Sequence, residues 1–162
     1  MIFDVFRLFI KGGYINFGVF VLYNDNSFQQ ILHYIINTIA NINANELSAY
    51  KKFALVTLGL TEELCSNNCG FLLLYLQDEM INTLLSVTSV GLDSTDNDIV
   101  SLSTNAISNF YGFMFNSMKN PPNPIYGNAL KSRITEFINK GKENSQTLLR
   151  RILRVICFEE GV

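Results

Sequence analysis

Apolar residues recur at helical spacing along this chain, in segments that begin at a regular interval. Alternate segments begin near residues 46, 97 and 144, and the intervening ones near residues 27, 77 and 126. The pattern therefore returns after about 47–51 residues, close to the roughly 40–47 residues of a HEAT or armadillo helix pair. This spacing predicts an all-α fold: an α-solenoid of about three HEAT-like helix pairs plus part of another. A single globule of seven helices is the alternative.

Capping and breaking residues set the limits of the predicted helices. Asn26 or Ser27 precedes one apolar segment and Asp96 or Asn97 precedes another, as N-cap residues do. The Pro-rich segment 121–124 must separate two helices, because proline has no N–H to donate. The seven predicted helices cover approximately residues 1–11, 27–39, 46–66, 77–92, 97–114, 126–140 and 144–158.

Residues 12–26 depart from the helical pattern. Two glycines open the stretch, and apolar residues then alternate with others at Ile15, Phe17, Val19 and Val21. Alternation of this kind is typical of extended backbone. We therefore expect residues 12–26 to form a non-helical, buried connection, or alternatively a strand, within one helical-repeat unit that covers residues 1–162.

Composition excludes a disordered chain and a helical membrane protein. Leu, Ile, Val and Phe make up 58 of the 162 residues, more apolar side chain than a disordered segment carries. The longest unbroken apolar run, Phe71–Leu76, is far shorter than the roughly 20 residues of a membrane-spanning helix. Three cysteines without a disulfide-type spacing favour a reducing, intracellular compartment.

No motif for catalysis, metal binding or cofactor binding is found. His33 has Gln29, Gln30, Ile36 and Asn37 at the i±3 and i±4 positions, so it has no local partner for metal or acid–base chemistry. Cys65 and Cys69 have no second pair and are expected to be core residues. The phosphate loop and calcium loop patterns are incomplete at residues 13–20 and 93–104. We therefore predict no catalytic residues, no metal and no cofactor.

Charge is distributed unevenly along the chain. No Lys or Arg lies between Lys52 and Lys119, whereas seven acidic residues do. From Lys131 onward, seven basic residues outnumber four acidic ones. Acidic residues at helix starts and ordinary solvated surface explain most of this uneven charge distribution. The alternative is that the acidic and the basic residues form two partner-binding surfaces. The acidic surface would comprise Glu62, Glu63, Asp78, Glu79 and Asp93, and the basic surface Lys131, Arg133, Arg150, Arg151 and Arg154. Nucleic acid is disfavoured as a partner, because the net charge is −2 and no aromatic residues interleave with the basic ones.

One segment resembles a known family. The stretch GGYINFGVFVLYNDN at residues 12–26 is similar to the Y-(V/I)-N-F-G-V-F-x-L-Y-(G/N)-D segment of exportin-7-like proteins, in the importin-β (karyopherin) superfamily. The likeness continues in NELSAYKKFALVTLGLTEEL, QDEMINTLLSVTSVGLDSTDNDIV and LLRRILRVICFEEG. It runs from about Gly13 to Glu160, with the PPNP segment as a departure.

This resemblance implies a HEAT-repeat fragment from the C-terminal part of a nuclear transport receptor. Such receptors bind protein cargo, GTP-bound Ran and nuclear pore proteins, and they move between nucleus and cytoplasm. The main Ran-binding surface of exportins lies in their N-terminal repeats, so it is expected outside this chain. The implied function is a non-catalytic protein-binding scaffold in Ran-dependent nucleocytoplasmic transport of proteins.

An alternative function is a self-contained helical adaptor or assembly protein unrelated to transport. A solenoid normally ends in repeats with a polar outer face. Here the first predicted helix presents five large apolar side chains, and the last is apolar around more than one face. We therefore expect the isolated chain to self-associate through its uncapped ends, as a symmetric dimer or by exchange of the terminal helix.

Overall fold

The structure is a computed structural model that describes residues 2–12, 17–42, 47, 49–120, 127–141, 146–150 and 153. The helices in this part of the chain are α1 (Ile2–Lys11), α2 (Phe17–Leu22), α3 (Ser27–Ala40), α4 (Lys51–Asn67), α5 (Cys69–Tyr75), α6 (Asp78–Val90), α7 (Asn97–Lys119) and α8 (Gly127–Lys140). A 3-10 turn, Gly91–Asp93, lies between α6 and α7, and residues 146–150 are also helical. No strand is present in the described residues.

The helices α1 and α4 lie side by side and run in the same direction. The ring of Phe3 stacks on that of Phe53 with centroids 6.4 Å apart, near the start of both helices. Further along, the guanidinium of Arg7 lies against Gly59, where an added Cβ would come within 2.5 Å of Nη1. Both contacts advance together along the two helices, so the pair is parallel.

The same arrangement holds between α4 and α7, which share the most extensive helix–helix contact described. Lys51 and Asp96 pair at the starts of the two helices, with Nζ 2.5 Å from Oδ2. Further along, the Asn109 amide donates to Glu62 Oε1 at 3.3 Å. The helices α1, α4 and α7 therefore form one parallel layer, in which contacting residues lie about one helix pair apart in sequence.

A second layer contains α3 and α6, which pack against each other. Helix α8 packs against α5 and α7, and its Phe137 meets Phe110 edge-on with centroids 5.9 Å apart. The core lies between the layers, and its largest fully buried side chains include Leu32, Ile36, Leu64, Leu72, Ile81, Phe110 and Phe137. The pairs α1/α3, α4/α6 and α7/α8, with residues 146–150 beginning another, confirm the predicted all-α solenoid.

The prediction of a non-helical connection is wrong for residues 17–22, whereas residue 12 and residues 23–26 are non-helical as predicted. Residues 17–22 form helix α2, and Leu22 and Tyr23 are 79% and 76% exposed. A helix satisfies its own backbone hydrogen bonds, whereas an extended segment needs a neighbouring strand. The helix ends where Asn24 adopts a φ of 55° and the Asp25 N–H donates to the Phe20 carbonyl, as in a Schellman cap. Residues 13–16 lie outside the described residues.

The predicted capping residue is confirmed at the start of α7, whereas at the start of α3 a different residue makes the side-chain contact. Asp96 caps α7 as predicted, since its Oδ1 accepts from the N–H groups of Asp98 and Ile99 at 3.0 and 3.4 Å. At α3 the side-chain contact comes from Asp25, whose Oδ1 accepts from the Ser27 N–H at 2.8 Å. Helix α5 was not predicted from the sequence. Most of the helix predicted over residues 144–158 lies outside the described residues.

None of the described helices combines the length and the hydropathy needed to cross a bilayer.

Candidate partner-binding surfaces

The acidic residue Glu62 takes part in a contact between helices. Its Oε1 accepts from the Ser66 hydroxyl at 2.8 Å and from the Asn109 amide at 3.3 Å, and Asn109 also donates to Ser66 Oγ at 2.6 Å. The three side chains link α4 to α7 at the surface of the parallel layer. Glu62 thus stabilises the stacking of the layer.

Glu63 is a correction to the predicted acidic surface. Its side chain is buried, with 7% of the residue exposed, and its Oε1 accepts from the Asn67 amide. The burial follows from its place on α4, since Gly59, one turn earlier, lies against α1. A carboxylate in this position is not available to a protein partner.

Asp78 and Arg133 were assigned to opposite surfaces, and the structure pairs them. Arg133 Nη2 lies 2.5 Å from Asp78 Oδ1, and both side chains are less than one-fifth exposed. Arg133 also donates from Nε to the Leu73 carbonyl at 2.9 Å and from Nη2 to the Leu76 carbonyl at 3.1 Å. Its guanidinium therefore joins the end of α5 and the start of α6 to α8. Neither residue belongs to a free charged surface.

A neighbouring lysine extends this pair. Lys140 Nζ lies 3.7 Å from Asp78 Oδ2 and also pairs with Glu136 one turn earlier on α8. The hydrogen bond with Glu136, followed by its charge, raises the pKa of Lys140. Two cations and two carboxylates thus offset one another where α6 and α8 meet.

The remaining predicted charges are dispersed. Glu79 and Asp93 are exposed at opposite ends of α6, at its start and in the turn that follows it. Lys131 is half-buried on α8 and Arg150 is exposed in the helical residues 146–150. Arg151 and Arg154 lie outside the described residues. The structure therefore pairs Asp78 with Arg133 and places Glu79 and Asp93 at opposite ends of α6.

An apolar groove that sequence reasoning missed lies between α1, α3 and α4. It encloses about 830 Å³ and is lined mainly by Ile2, Phe3, Tyr34, Ile35, Tyr50, Phe53 and Val56, with Asp4 and Lys52 among the lining residues. Tyr34 and Tyr50 are 73% and 66% exposed. In the sequence, the two tyrosines occupy predicted helical positions next to apolar residues. Only the tertiary packing brings them into one groove, so the sequence alone does not reveal it. Such a groove can bind apolar side chains.

Cys65 and Cys69 are buried core residues, in agreement with the sequence. Burial, followed by the charge of Glu62, raises the pKa of the Cys65 thiol to about 12. Burial, and next the neighbouring Cys65, also raises the pKa of Cys69, whose Sγ lies 3.9 Å from the Phe110 carbonyl oxygen. His33 is exposed on α3. In the part of the chain that the structure describes, no three His, Cys, Asp or Glu side chains group as metal ligands would.

Comparison with known proteins identifies homologues. No protein-family model and no solved structure matches the chain. Exportin-7-A of Xenopus laevis is 24% identical over 98% of the chain, and Ran-binding protein 17 of Homo sapiens is 23% identical over 92% of it. Exportin-7 of Dictyostelium discoideum is 31% identical over 64% of the chain. The chain spans only 10–15% of the length of these relatives. It is therefore a homologue of one part of exportin-7 and Ran-binding protein 17, which confirms the resemblance seen in its sequence.

Proposed function

We propose that this chain is a non-catalytic protein-binding scaffold and acts as part of a Ran-dependent nuclear transport receptor. The observation that carries this proposal is its homology to exportin-7 over 98% of its length. The proposed partners of the complete receptor are protein cargo, GTP-bound Ran and nuclear pore proteins. The proposed locations are the nucleus and the cytoplasm.

The architecture supports a scaffold role. Layers of stacked helices expose long surfaces of the kind that solenoid proteins use for binding. The apolar groove between α1, α3 and α4 adds exposed apolar surface, which in soluble proteins is often a site of interaction.

The proposed polar contacts are the exposed residues Glu79, Asp93 and Arg150 and the half-buried Lys131. Glu79 and Asp93 would face basic groups of a partner, and Lys131 and Arg150 would face acidic ones. The main Ran contact is proposed to lie in another part of the receptor. This chain would then extend the solenoid of the complete receptor with its own helices, stacked in a fixed arrangement.

A segment exchange tests this proposal. The aligned segment of Xenopus laevis Exportin-7-A is replaced by this chain, and cargo binding by the purified hybrid is measured with Ran in its GTP and GDP forms. We expect cargo binding that depends on GTP-bound Ran, as in the unaltered receptor.

A matched control keeps the result interpretable. The same exchange is made with the aligned segment of human Ran-binding protein 17, which is comparably distant from this chain. If the control hybrid binds cargo while a well-folded hybrid with this chain does not, the proposed function is wrong.

A further inference from the structure

Polar side chains without partners line a notch between α3 and the junction of α5 and α6. Gln30 and His33 of α3 and Gln77 of the junction are exposed, and the notch that they line encloses about 280 Å³. Within the described residues, these three side chains neither donate nor accept a hydrogen bond. The buried Leu76 and Met80 line the same notch. It therefore offers several available donors and acceptors next to apolar side chains.

The notch continues into the apolar groove between α1, α3 and α4. Tyr34 is 73% exposed and lines both cavities. Along α3, Gln30 and His33 line the notch, and Ile35 and Thr38 line the groove. One continuous surface thus runs along α3. The groove encloses about 830 Å³, within the range of roughly 300–1,000 Å³ for ligand clefts, so it has room for several large side chains.

The lining of the groove includes one positive charge without a partner. Lys52 is exposed, and no carboxylate of the described residues pairs with it, whereas the adjacent Lys51 pairs with Asp96. Asp4, the other charged residue of the lining, takes part in an interaction of its own. An unpaired cation beside an apolar surface favours a ligand that carries a carboxylate.

The chemistry of the notch favours an extended ligand over a helical one. A helix satisfies its backbone N–H and C=O groups internally. An extended segment leaves these groups unpaired, and a glutamine carboxamide can donate to a C=O and accept from an N–H. The uncharged side chains of Gln30 and Gln77 therefore suit the main chain of an extended peptide.

We propose that this surface binds an extended peptide segment of a protein partner, which places large apolar side chains in the groove and a carboxylate against Lys52. Its main chain would bond to Gln30 and Gln77. The groups that contact the peptide belong to α3, to the start of α4 and to the junction of α5 and α6. Burial of the apolar side chains favours binding, and the polar contacts fix the orientation. This inference rests on the proposed role as a protein-binding scaffold and specifies the chemistry of one partner.

The first experiment selects peptides without assuming their sequence. A phage library that displays random dodecapeptides is selected on the chain and, in parallel, on its Tyr34→Ala variant. We expect a set of peptides that is enriched on the wild type alone, is rich in large apolar residues and carries Asp or Glu. The absence of such a set would overturn the proposal, and so would a set in which Lys and Arg outnumber Asp and Glu.

A charge exchange tests the contact with Lys52. The most enriched dodecapeptide is synthesised with a fluorescent label, and its binding is measured by fluorescence anisotropy. Tyr34→Ala and Lys52→Glu should each weaken binding about tenfold or more, because one removes an aromatic anchor and the other reverses the charge. Replacing the acidic residues of the peptide by Lys should weaken binding to the wild type and strengthen binding to Lys52→Glu. The same change in affinity for both proteins would overturn the contact.

A double variant tests recognition of the main chain. Gln30→Ala combined with Gln77→Ala removes the proposed hydrogen bonds and should weaken binding of the labelled peptide about fivefold or more. Unchanged binding would overturn the proposed extended mode, because a helical ligand does not need these carboxamides.

Matched controls make the same changes outside this surface. Tyr23→Ala changes a tyrosine that is 76% exposed, and Lys119→Glu and Gln146→Ala change exposed residues that line neither cavity. Each should bind the peptide within about twofold of the wild type. Circular dichroism verifies the fold of every variant. Weakening by the controls equal to that at Tyr34, Lys52 and the glutamines would overturn the proposal.

The hybrid receptor separates this inference from the proposed function. The hybrid carries this chain in place of the aligned segment of Exportin-7-A, and the labelled peptide should bind it as tightly as it binds the chain alone. If a hybrid that binds cargo with GTP-bound Ran does not bind the peptide, the proposed surface is wrong and the proposed function stands. If the hybrid binds the peptide but no cargo, the surface stands and the proposed function is wrong.

Discussion

Arg133 and Asp78 form an ion pair, with Nη2 2.5 Å from Oδ1, that fixes α8 to the junction of α5 and α6. The same guanidinium donates to the carbonyls of Leu73 and Leu76, where α5 ends and its carbonyls lack partners within the helix. The Arg133 side chain thus donates hydrogen bonds to carbonyls at the end of α5 and pairs with Asp78 in the first turn of α6. Because Arg133 and Asp78 are paired in this way, neither side chain is free to bind a partner, although the two residues are far apart in sequence.

Replacing this arginine should destabilise the protein. Arg133→Met removes the ion pair and both hydrogen bonds to carbonyls and leaves Asp78 largely buried without its nearest cation. We expect a loss of about 2–4 kcal/mol in the free energy of unfolding, measured by urea denaturation. Lys131→Met, two residues earlier on α8, is the matched control and should change stability by about 0.5 kcal/mol or less. Equal effects of the two substitutions would contradict the role assigned to Arg133.

Two glycines should respond in opposite directions to alanine. At Gly91 an added Cβ would lie 2.1 Å from Ser103 Oγ and 2.9 Å from Leu58 Cδ1, so Gly91→Ala should destabilise the fold by about 1–3 kcal/mol. At Gly112, inside α7, an added Cβ meets nothing within 4 Å, and Gly112→Ala should stabilise by about 0.5–1 kcal/mol. Thermal unfolding of both variants measures the difference. The same sign for both would mean that α7 and the turn before it pack differently.

Acid should weaken the start of α7 through Asp96. The hydrogen bond with Lys51, together with the backbone N–H groups, lowers the pKa of Asp96 below its usual 3.8. A lowered folded-state pKa stabilises the protein above the unfolded value, and that stabilisation is lost as the pH falls from about 3.8 through the lower folded value. Asp96→Asn keeps a capping side chain without the titrating charge. The stability difference between wild type and Asp96→Asn should therefore shrink as the pH falls through this range, and a constant difference would be inconsistent with it.

Helix existence was predictable because it depends on local spacing. The start of α7 followed from Asp96, whose short acidic side chain can cap a helix whatever lies around it. The alternation in residues 17–22 misled the prediction, because six residues satisfy both a strand pattern and one turn and a half of helix. In the fold, the ring of Phe20 stacks on that of Phe28 in α3, a contact that the alternation alone does not reveal.

The candidate surfaces depended on tertiary contacts that spacing does not reveal. Glu63 and Glu62 are adjacent in sequence, yet one is buried and the other lies at the surface of the layer. Which of them is buried depends on the face of α4 that meets α1. The apolar groove likewise combines Tyr34 of α3 with Tyr50, the residue before α4, and no local pattern relates them. The homology, in contrast, was visible in the residues themselves.

The buried thiols should react slowly in the native state. Only a thiolate attacks a disulfide reagent, and burial raises the pKa of Cys65 to about 12 and that of Cys69 also. In a Cys157→Ser background, we expect both remaining thiols to react with a colorimetric disulfide reagent at the rate of unfolding at neutral pH. The same protein in denaturant, where both thiols are solvated, should react rapidly and serves as the control. Fast labelling of the native protein would show that the α4–α5 junction is open.

The parallel layer is the central claim, and chemical cross-linking between α4 and α7 tests it most directly. A cysteine at Lys51 is combined with one at Asp96, at the start of α7, or with one at Asn116, near its end, in a Cys157→Ser background. A short bis-maleimide should join positions 51 and 96 rapidly, because their native side chains lie 2.5 Å apart, and should leave 51 and 116 unjoined. Preferential cross-linking of 51 to 116 would mean that the two helices are antiparallel and would contradict the solenoid described here.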